Sequence, residues 1–170
     1  GDVIGLWQFT HAADAMARLV IRNAFFFGRG RHDALPMSWC TYTDPEVAHV
    51  GLYVNEQERA GCELEAIRMN FAEVDRAILE GATEGFAKIV IEKESGRLRG
   101  ATVVAPHAGE ILGGALLPVT RRMKATELAG AIHPYPTLAS VWGRLGDAAN
   151  RRRLTPRAAS FLRAIIRMRG

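Results

Sequence analysis

Residues 85–105 read GFAKIVIEKESGRLRGATVVA and carry the strongest structural signal in the chain. Apolar side chains alternate along residues 85–93, so Ala87, Ile89 and Ile91 fall on one face of a strand. Residues 98–105 return as a second apolar strand. Because Glu94-Ser95-Gly96 has the composition of a tight turn, this stretch predicts a β-hairpin with a buried face.

Shorter strand patterns come before the hairpin, and helical patterns lie on both sides of the strands. The strand patterns cover residues 38–43, 47–53 and 63–70. Apolar residues recur at helical spacing over residues 9–27, 108–123 and 137–149. Strands grouped in the middle, with helices mostly after them, predict an α+β fold: a mainly antiparallel sheet with helices packed on one face.

Three local features add to this outline. Gly113-Gly114 stands inside a predicted helix, where each glycine costs roughly 1 kcal/mol relative to alanine, so we expect close packing against another backbone. The apolar run Phe25-Phe26-Phe27 suggests that this helix end is covered by another element or chain. Residues 1–5 are predicted as the end of a strand running into a turn.

Composition places the chain among globular proteins with one core: 170 residues, 48 % hydrophobic and 24 % charged. No apolar run reaches the roughly 18 residues that a membrane span needs. Cys40 and Cys62 are too few for a disulfide scaffold, so we expect two small buried side chains in a reducing compartment. The chain opens without Met or a signal peptide, and we expect a fragment of a longer cytoplasmic protein.

Several common catalytic motifs are missing from the sequence. It contains no phosphate-binding loop, no G-x-G-x-x-G, no H-E-x-x-H, no C-x-x-C and no G-x-S-x-G. The five histidines are scattered without the spacing of metal ligands, so we expect no metal site. The chain alone is therefore not predicted to bind a dinucleotide in the usual way.

The basic charge of the chain is concentrated at its C-terminal end. Residues 151–170 contain seven arginines and no acid, which leaves −3 for the first 150 residues out of a net charge of +4. Thr155 and Pro156 predict a helix start, and the residues after them form a basic amphipathic helix. It can pack on its own domain or contact a membrane surface. Nucleic acid is not expected as a partner, because the body is acidic and no aromatic residues are interleaved.

Residues 133–140 read HPYPTLAS. Because proline fixes φ and disfavours helix in the preceding residue, residues 133–136 are predicted to form a stiff extended loop ahead of a helix start at Thr137. Such a loop can present an imidazole and a phenol to a reaction. It can equally be a simple connection between two helices, and the residue pattern alone leaves both open.

Short motifs follow one another at characteristic spacings. They are Gly1-Asp2, FTHAA at 9–13, TDPEVAHVGL at 43–52, the hairpin followed by AGE at 108–110, and PTL at 136–138. In this order they resemble the C-terminal interface domain of the FAD-dependent pyridine nucleotide-disulfide oxidoreductases, of the glutathione reductase type. The similarity covers residues 1 to about 149. HPYPT and an arginine-rich LTPR tail resemble a mercuric reductase-like branch of that family.

The resemblance implies a homodimer and a flavin cofactor. FAD would be bound mostly by an N-terminal region that this chain lacks, and NAD(P)H would be the reductant. Asp2 would bond the ribityl chain of the flavin, since a polyol needs a fixed carboxylate acceptor. Thr10 would offer its backbone at a helix N-terminus to the pyrimidine edge of the flavin, where the helix dipole suits a carbonyl oxygen.

The loop departs from the pattern of the family at two positions. The family carries a His directly before Pro-Thr and a Glu five residues after that His, and this acid–base pair reaches the redox disulfide of the partner subunit. Tyr135 and Ser140 stand at those positions here. A tyrosine with an ordinary pKa of about 10 is a poor base near pH 7, and the missing carboxylate makes a shifted pKa less expected. His133 and Tyr135 are therefore our candidate catalytic residues, with the proton donor left open.

These observations predict three regions: residues 1–30 as the end of the FAD domain and a connecting helix, 31–150 as the dimerisation domain, and 151–170 as the basic helix. The chain would be inactive alone and would complete the partner's active site in a full-length oxidoreductase. The alternative is a stand-alone dimerising or membrane-surface module without catalysis. Residues that select the substrate, or NADH over NADPH, would lie upstream.

Overall fold

The computed structural model describes residues 1–152 and 167–168. The predicted helix start at Thr155 and Pro156 lies outside the described residues. The chain divides into two compact units, Gly1–Met37 and Ser38–Gly170, which are described separately below.

The first unit is built around one helix, α1 (Thr10–Phe25), between two short 3₁₀ helices, Asp2–Ile4 and His32–Ala34. The predicted strand end at residues 1–5 is wrong, because the N–H of Gly5 donates to the carbonyl of Asp2 and closes a 3₁₀ turn. Phe25, Phe26 and Phe27 are all exposed. An apolar surface of this kind, at the end of a helix, is available to a further element or chain.

The second unit contains a five-stranded antiparallel sheet in the order β1-β2-β5-β4-β3. The strands are β1 (Ser38–Thr41), β2 (Glu46–Gly51), β3 (Leu64–Asn70), β4 (Phe86–Glu92) and β5 (Leu98–Ala105). Two short helices, α2 (Gln57–Ala60) and α3 (Asp75–Leu79), lie on either side of β3 in the sequence. The long helices α4 (Ala108–Thr120) and α5 (Val141–Arg152) follow the sheet.

The predicted hairpin is β4 and β5, paired antiparallel at the middle of the sheet. Gly96 takes a left-handed φ of 69° in the turn, which a side chain would disfavour. Ala87, Ile89 and Ile91 are all buried, as their alternation predicts. One register shift at Val90/Ile91 is the only irregularity recorded between the two strands.

Helices α4 and α5 pack on one face of the sheet, α4 against β2 and β5, and α5 mainly against β3. Side chains from that face and from both helices form one hydrophobic core. The apolar stripe predicted over residues 108–123 is confirmed at five buried residues, Ala108, Ile111, Leu112, Ala115 and Val119. Its last member, Met123, lies after the end of α4 and is only half-buried. The predicted α+β fold with helices on one face is therefore confirmed.

Helix α5 is attached to α4 by the largest buried side chain of the core. The Trp142 ring is fully buried, and its Nε1–H donates to the carbonyl of Ile111 at 2.9 Å. A Cβ on Gly114 would lie 2.7 Å from Cδ1 of this ring, whereas a Cβ on Gly113 would meet nothing within 4 Å. The prediction that the glycine pair packs against another backbone is therefore wrong: Gly114 makes room for the indole ring of Trp142.

Replacing these two glycines by alanine should have opposite effects. Gly114→Ala should lower the free energy of unfolding by about 1–3 kcal/mol, because the methyl group overpacks against a buried ring that cannot withdraw. Gly113→Ala is the matched control and should raise it by up to about 1 kcal/mol through helix propensity. Urea unfolding of both variants measures this, and equal effects would contradict the packing role of Gly114.

Candidate functional site

The loop over residues 131–137 connects a 3₁₀ helix, Ala125–Gly130, to a second one, Leu138–Ser140, which runs into α5. Hydrogen bonds from side-chain hydroxyl groups to backbone carbonyls stabilise this loop and its junction with the second 3₁₀ helix. The Thr137 hydroxyl donates to the carbonyl of Pro134 at 2.8 Å, and the Ser140 hydroxyl donates to the carbonyl of Thr137 at 2.7 Å. Ser140 thus fixes the entry into α5 and has its hydroxyl proton committed to the backbone.

His133 packs against α5. A Cβ on Gly143 would lie 3.3 Å from its Cδ2 atom and 3.8 Å from its Nε2 atom. The Nε2 atom is buried, and no atom of the described residues hydrogen-bonds it. In this geometry the Nε2 edge of the imidazole faces the protein and is not presented to solvent.

Tyr135 has the opposite environment, since 76 % of its area is exposed. The carboxylate of Asp75 at the start of α3 raises the pKa of Tyr135, through hydrogen bonding and through its negative charge. Arg144 of α5 pairs with the same carboxylate at 3.2 Å and also donates to the carbonyl of Glu73. The phenol is therefore neutral near pH 7.

Sequence reasoning did not identify Asp75 or Arg144. Tyr135 has no carboxylate nearby in the sequence of the loop. In the fold, α3 contacts the 3₁₀ helix Leu138–Ser140 that leads into α5, which brings the Asp75 carboxylate to this region. Nothing in the sequence indicates that a carboxylate at the start of a short helix and an arginine on α5 come into contact.

Asp2 and Thr10 both lie in the first unit. Asp2 is exposed in the first 3₁₀ helix, and Thr10 is the exposed first residue of α1. No side chain caps α1, and a Cβ on Gly1 would lie 3.2 Å from the Cβ of Ala13, which brings residue 1 against the first turn of this helix. An exposed carboxylate near an uncapped helix N-terminus is compatible with a polyol and a carbonyl acceptor, so these residues fit the flavin groups expected of them.

Both cysteines are half-buried and free. Burial raises the pKa of the Cys40 thiol. The negative charge of Glu46, whose Oε2 atom lies 3.8 Å from the Cys40 sulfur, raises this pKa further. The Cys62 sulfur accepts a hydrogen bond from Arg99. Among residues 1–152 and 167–168 no cluster of three potential ligands could hold a metal ion, and no helix is long and apolar enough to cross a bilayer.

A further polar cluster lies on the face of the sheet opposite the one on which α4 and α5 pack. His49 is only 2 % exposed, with Nδ1 3.0 Å from the Thr102 hydroxyl and Nε2 3.1 Å from the carbonyl of Gly51. Since a carbonyl only accepts, Nε2 carries the proton and Nδ1 accepts from Thr102. The Tyr53 ring stacks on the imidazole at 3.9 Å. Burial lowers the pKa of His49, so this cluster is a structural one with a neutral histidine.

The free energy of unfolding should therefore decrease as the pH is lowered, and part of this decrease should depend on His49. Its folded-state pKa lies below the ordinary value of about 6.5, so the unfolded chain binds a proton that the folded chain refuses. The free energy of unfolding should fall as pH drops from about 6.5 towards the folded pKa, by at most about 1.4 kcal/mol per pH unit for one proton. Urea unfolding between pH 8 and 5 should show a steeper fall in the parent chain than in His49→Gln. Parallel curves would show that His49 does not titrate differently on folding.

The fold and the exposed loop define the class of this chain: an α+β interface domain in which one face of the sheet carries the helices and a fixed loop projects outward. The family profile described as "Pyridine nucleotide-disulphide oxidoreductase, dimerisation domain" matches residues 37–145. The chain belongs to this family, whose members are FAD flavoproteins that use NAD(P)H.

Individual relatives agree with this assignment. A mercuric reductase from Acidithiobacillus ferrooxidans is 38 % identical over 138 residues, which is 81 % of this chain and 25 % of the relative. A dihydrolipoyl dehydrogenase from Bacillus subtilis is 30 % identical over 152 residues, 88 % of this chain and 32 % of the relative. The chain thus spans about a quarter to a third of the length of these relatives.

Solved structures show the same fold. LpdA from Mycobacterium tuberculosis superposes with a TM-score of 0.74 at 27 % identity, over 87 % of this chain and 32 % of that one. The HOCl-induced flavoprotein disulfide reductase RclA from Escherichia coli, at 20 % identity, has a TM-score of 0.74 over 86 % of this chain and 33 % of that one. The second similarity concerns the fold alone.

Proposed function

We propose that this chain is the dimerisation domain of a longer FAD-dependent NAD(P)H oxidoreductase resembling mercuric reductase and lipoamide dehydrogenase. Alone it is inactive, and in the homodimer it completes the active site of the partner subunit. The observation that carries this proposal is the 131–137 loop, which is held by the hydroxyl bonds of Thr137 and Ser140 and packs through His133 against α5, yet leaves Ile132 wholly exposed and Tyr135 three-quarters exposed. A fixed loop with exposed apolar and aromatic side chains suits contact with a second protein surface.

Within this proposal the two units have different tasks. Asp2 and Thr10 bind the FAD of their own subunit, through a carboxylate on the ribityl chain and a helix N-terminus at the pyrimidine edge. The remainder of FAD and the NAD(P)H bind to regions outside this chain, which agrees with its coverage of about a third of its relatives. The exposed Phe25, Phe26 and Phe27 provide an apolar surface on which such a region can pack.

In this proposal the 131–137 loop lies at the active site of the partner subunit, with Tyr135 exposed to that site and the Nε2 edge of His133 turned towards α5. When bound there, the flavin supplies the electron transfer, and this chain supplies polar groups beside the reacting atoms. A phenol that stays protonated near pH 7 can hold a reacting group by hydrogen bonding. The absence of the His–Glu arrangement indicates that this loop does not perform the usual acid–base exchange of a disulfide reductase.

The homodimer can be tested on the chain itself. Sedimentation equilibrium should give a mass that rises with concentration to twice that of one chain. Ile132→Glu should weaken this association, since a charge would be buried at the interface, while Glu84→Lys, also an exposed charge change on the same unit, should not. A strict monomer at high concentration would count heavily against the proposal.

The shared active site can be tested in the full-length protein by mixing subunits. Tyr135→Phe should lower turnover, because the phenolic hydroxyl is lost without loss of the ring. A variant defective in the N-terminal flavin region should be inactive. Mixed dimers of this variant with Tyr135→Phe should have higher turnover than either homodimer, since one of their two sites combines an intact flavin region with an intact Tyr135. Failure of the mixture to recover, with dimers shown to form, would place Tyr135 outside the partner's site.

The stand-alone dimerising or membrane-surface module is the competing function. A reading frame that extends upstream with G-x-G-x-x-G and C-x4-C supports the oxidoreductase. A Met codon immediately before Gly1, together with salt-sensitive binding to anionic vesicles that disappears on deletion of residues 151–170, would support the module instead.

A further inference from the structure

A cleft of about 520 Å³ opens at one end of the second unit, beside the turn between β4 and β5. The turn, the start of the 3₁₀ helix Ala125–Gly130 and the end of α5 all contribute to it. Part of its lining is apolar and buried, at Ile91, Ala125 and Ala149. Charged side chains also line it: Glu65, Lys93, Glu94, Arg97, Lys124 and Arg152. An apolar base combined with a few convergent polar groups is the usual form of a small-ligand site.

Some of these charges are balanced within the fold. Lys93 pairs with Glu63 at 2.8 Å, and Arg152 at the end of α5 pairs with Glu65 at 2.9 Å. Both pairs join a cation of the cleft to a carboxylate on β3 or directly before it. The net charge of the cleft therefore depends on the charged residues that remain.

Arg97, Lys124 and Glu94 are those remaining residues. Within residues 1–152 and 167–168, neither Arg97 nor Lys124 forms an ion pair with a carboxylate, and Glu94 forms none with a cation. Two unpaired cations and one unpaired carboxylate leave an excess of positive charge. Exposed cations are often solvated one by one, so their mutual arrangement decides whether they form a site.

Arg97 and Lys124 stand directly opposite each other on two antiparallel segments. The residues on either side of them form two backbone hydrogen bonds: Leu98 N–H to the carbonyl of Met123 at 2.8 Å, and Ala125 N–H to the carbonyl of Gly96 at 2.9 Å. In this type of antiparallel pair the side chains come closest, with Cα atoms about 4.5 Å apart. Like charges so placed destabilise each other, and an anion bound between them would remove that repulsion.

Both cations are held in place without a ligand. One guanidinium nitrogen of Arg97 donates to the carbonyl of Arg122 at 3.0 Å, and the backbone N–H of Arg97 donates to the Ser95 hydroxyl at 3.2 Å. The backbone N–H of Lys124 donates to the carboxylate of Glu127 at 2.7 Å, while its side chain is exposed. Such prior ordering lowers the entropic cost of binding.

We propose that this cleft binds a phosphate group, with Arg97 on one side of it and Lys124 on the other. A guanidinium donates to two phosphate oxygens in a fixed fork, and an ammonium adds a compact charge. The apolar base at Ile91 and Ala149 suits the group that carries the phosphate, so the expected ligand is a soluble phosphate monoester. The headgroup of phosphatidic acid presents the same chemistry. The site lies wholly in the second unit and goes beyond the function proposed above, since neither flavin nor a partner subunit takes part.

Binding can be measured on the chain itself with inorganic phosphate and with phenyl phosphate as probes, at constant ionic strength and pH 8. Amide resonances of Gly96, Arg97, Lys124 and Thr126 should shift and saturate, and phenyl phosphate should bind more tightly than phosphate. Lys124→Gln should weaken binding by roughly tenfold or more, because a charge-assisted hydrogen bond is lost. Shifts that spread over the whole surface without saturation would overturn the site.

Arg121→Gln is the matched control. It removes the same charge from an exposed residue three positions before Lys124 that does not line the cleft. Binding of phenyl phosphate should change far less in this variant than in Lys124→Gln. Equal losses in the two variants, with circular dichroism spectra like that of the parent, would report a general charge effect and overturn the proposal.

Vesicles of phosphatidylcholine with and without phosphatidic acid distinguish the two sources of the phosphate group. Binding of phenyl phosphate but not of either vesicle supports a soluble monoester. Binding only to the vesicles with phosphatidic acid, lost in Lys124→Gln, supports the lipid headgroup. Vesicle binding that survives in Lys124→Gln, or binding of none of these probes, would overturn the proposed site.

The close approach of the two cations can be tested without any ligand. Lys124→Glu turns a like-charge pair into an opposite-charge pair, so the urea midpoint of this variant should exceed that of the parent at low salt. The difference should shrink as salt is added, because exposed charges are screened. A midpoint lower than that of the parent would show that Arg97 and Lys124 do not repel each other, and the site would lose its basis.

Discussion

The burial of Trp142 between α4 and α5 is the constraint on which the arrangement of the candidate site depends. The indole fills space that only a glycine at position 114 leaves open, and its N–H is bonded to a carbonyl of α4. A buried donor left without a partner would cost about 1–3 kcal/mol, so translation of α5 along α4 is opposed by both packing and hydrogen bonding. The start of α5, and the loop that leads into it, are thereby fixed relative to the sheet.

The same attachment positions the charged groups. Arg144 follows Trp142 by two residues on α5, and from there it reaches Asp75 and the carbonyl of Glu73. A further close contact supports this placement, because a Cβ on Gly146 would lie 2.3 Å from the backbone nitrogen of Ala129. Helix α5 therefore lies directly on the 3₁₀ helix that begins the loop. The position of the Asp75–Arg144 ion pair is therefore set by the packing of a helix whose other face is in the core.

The sequence predicted the architecture well and the site only in part. The hairpin was predictable to within a residue or so at its ends, because alternation of apolar residues and a glycine turn act locally. The loop over 133–136 was predictable because proline restricts its neighbours. The Asp75–Arg144 ion pair was not, since these residues are 69 positions apart in the sequence and meet only in the folded chain. The role of Gly114 was misjudged for the same reason, because a glycine in a helix signals a close approach without showing whether a backbone or a side chain approaches.

An imidazole and a phenol at the same point of a loop demand different surroundings. An imidazole changes charge between pH 5 and 8, so a carboxylate beside it stabilises the protonated form and keeps a proton on the ring near neutral pH. A carboxylate beside a phenol raises the pKa in the same direction, because it disfavours the phenolate, but the protonated phenol is neutral and stays so over that range. The same type of partner therefore has a use beside an imidazole that it lacks beside a phenol. Tyr135 and Ser140, in place of a His and a Glu, are consistent with one another in this respect.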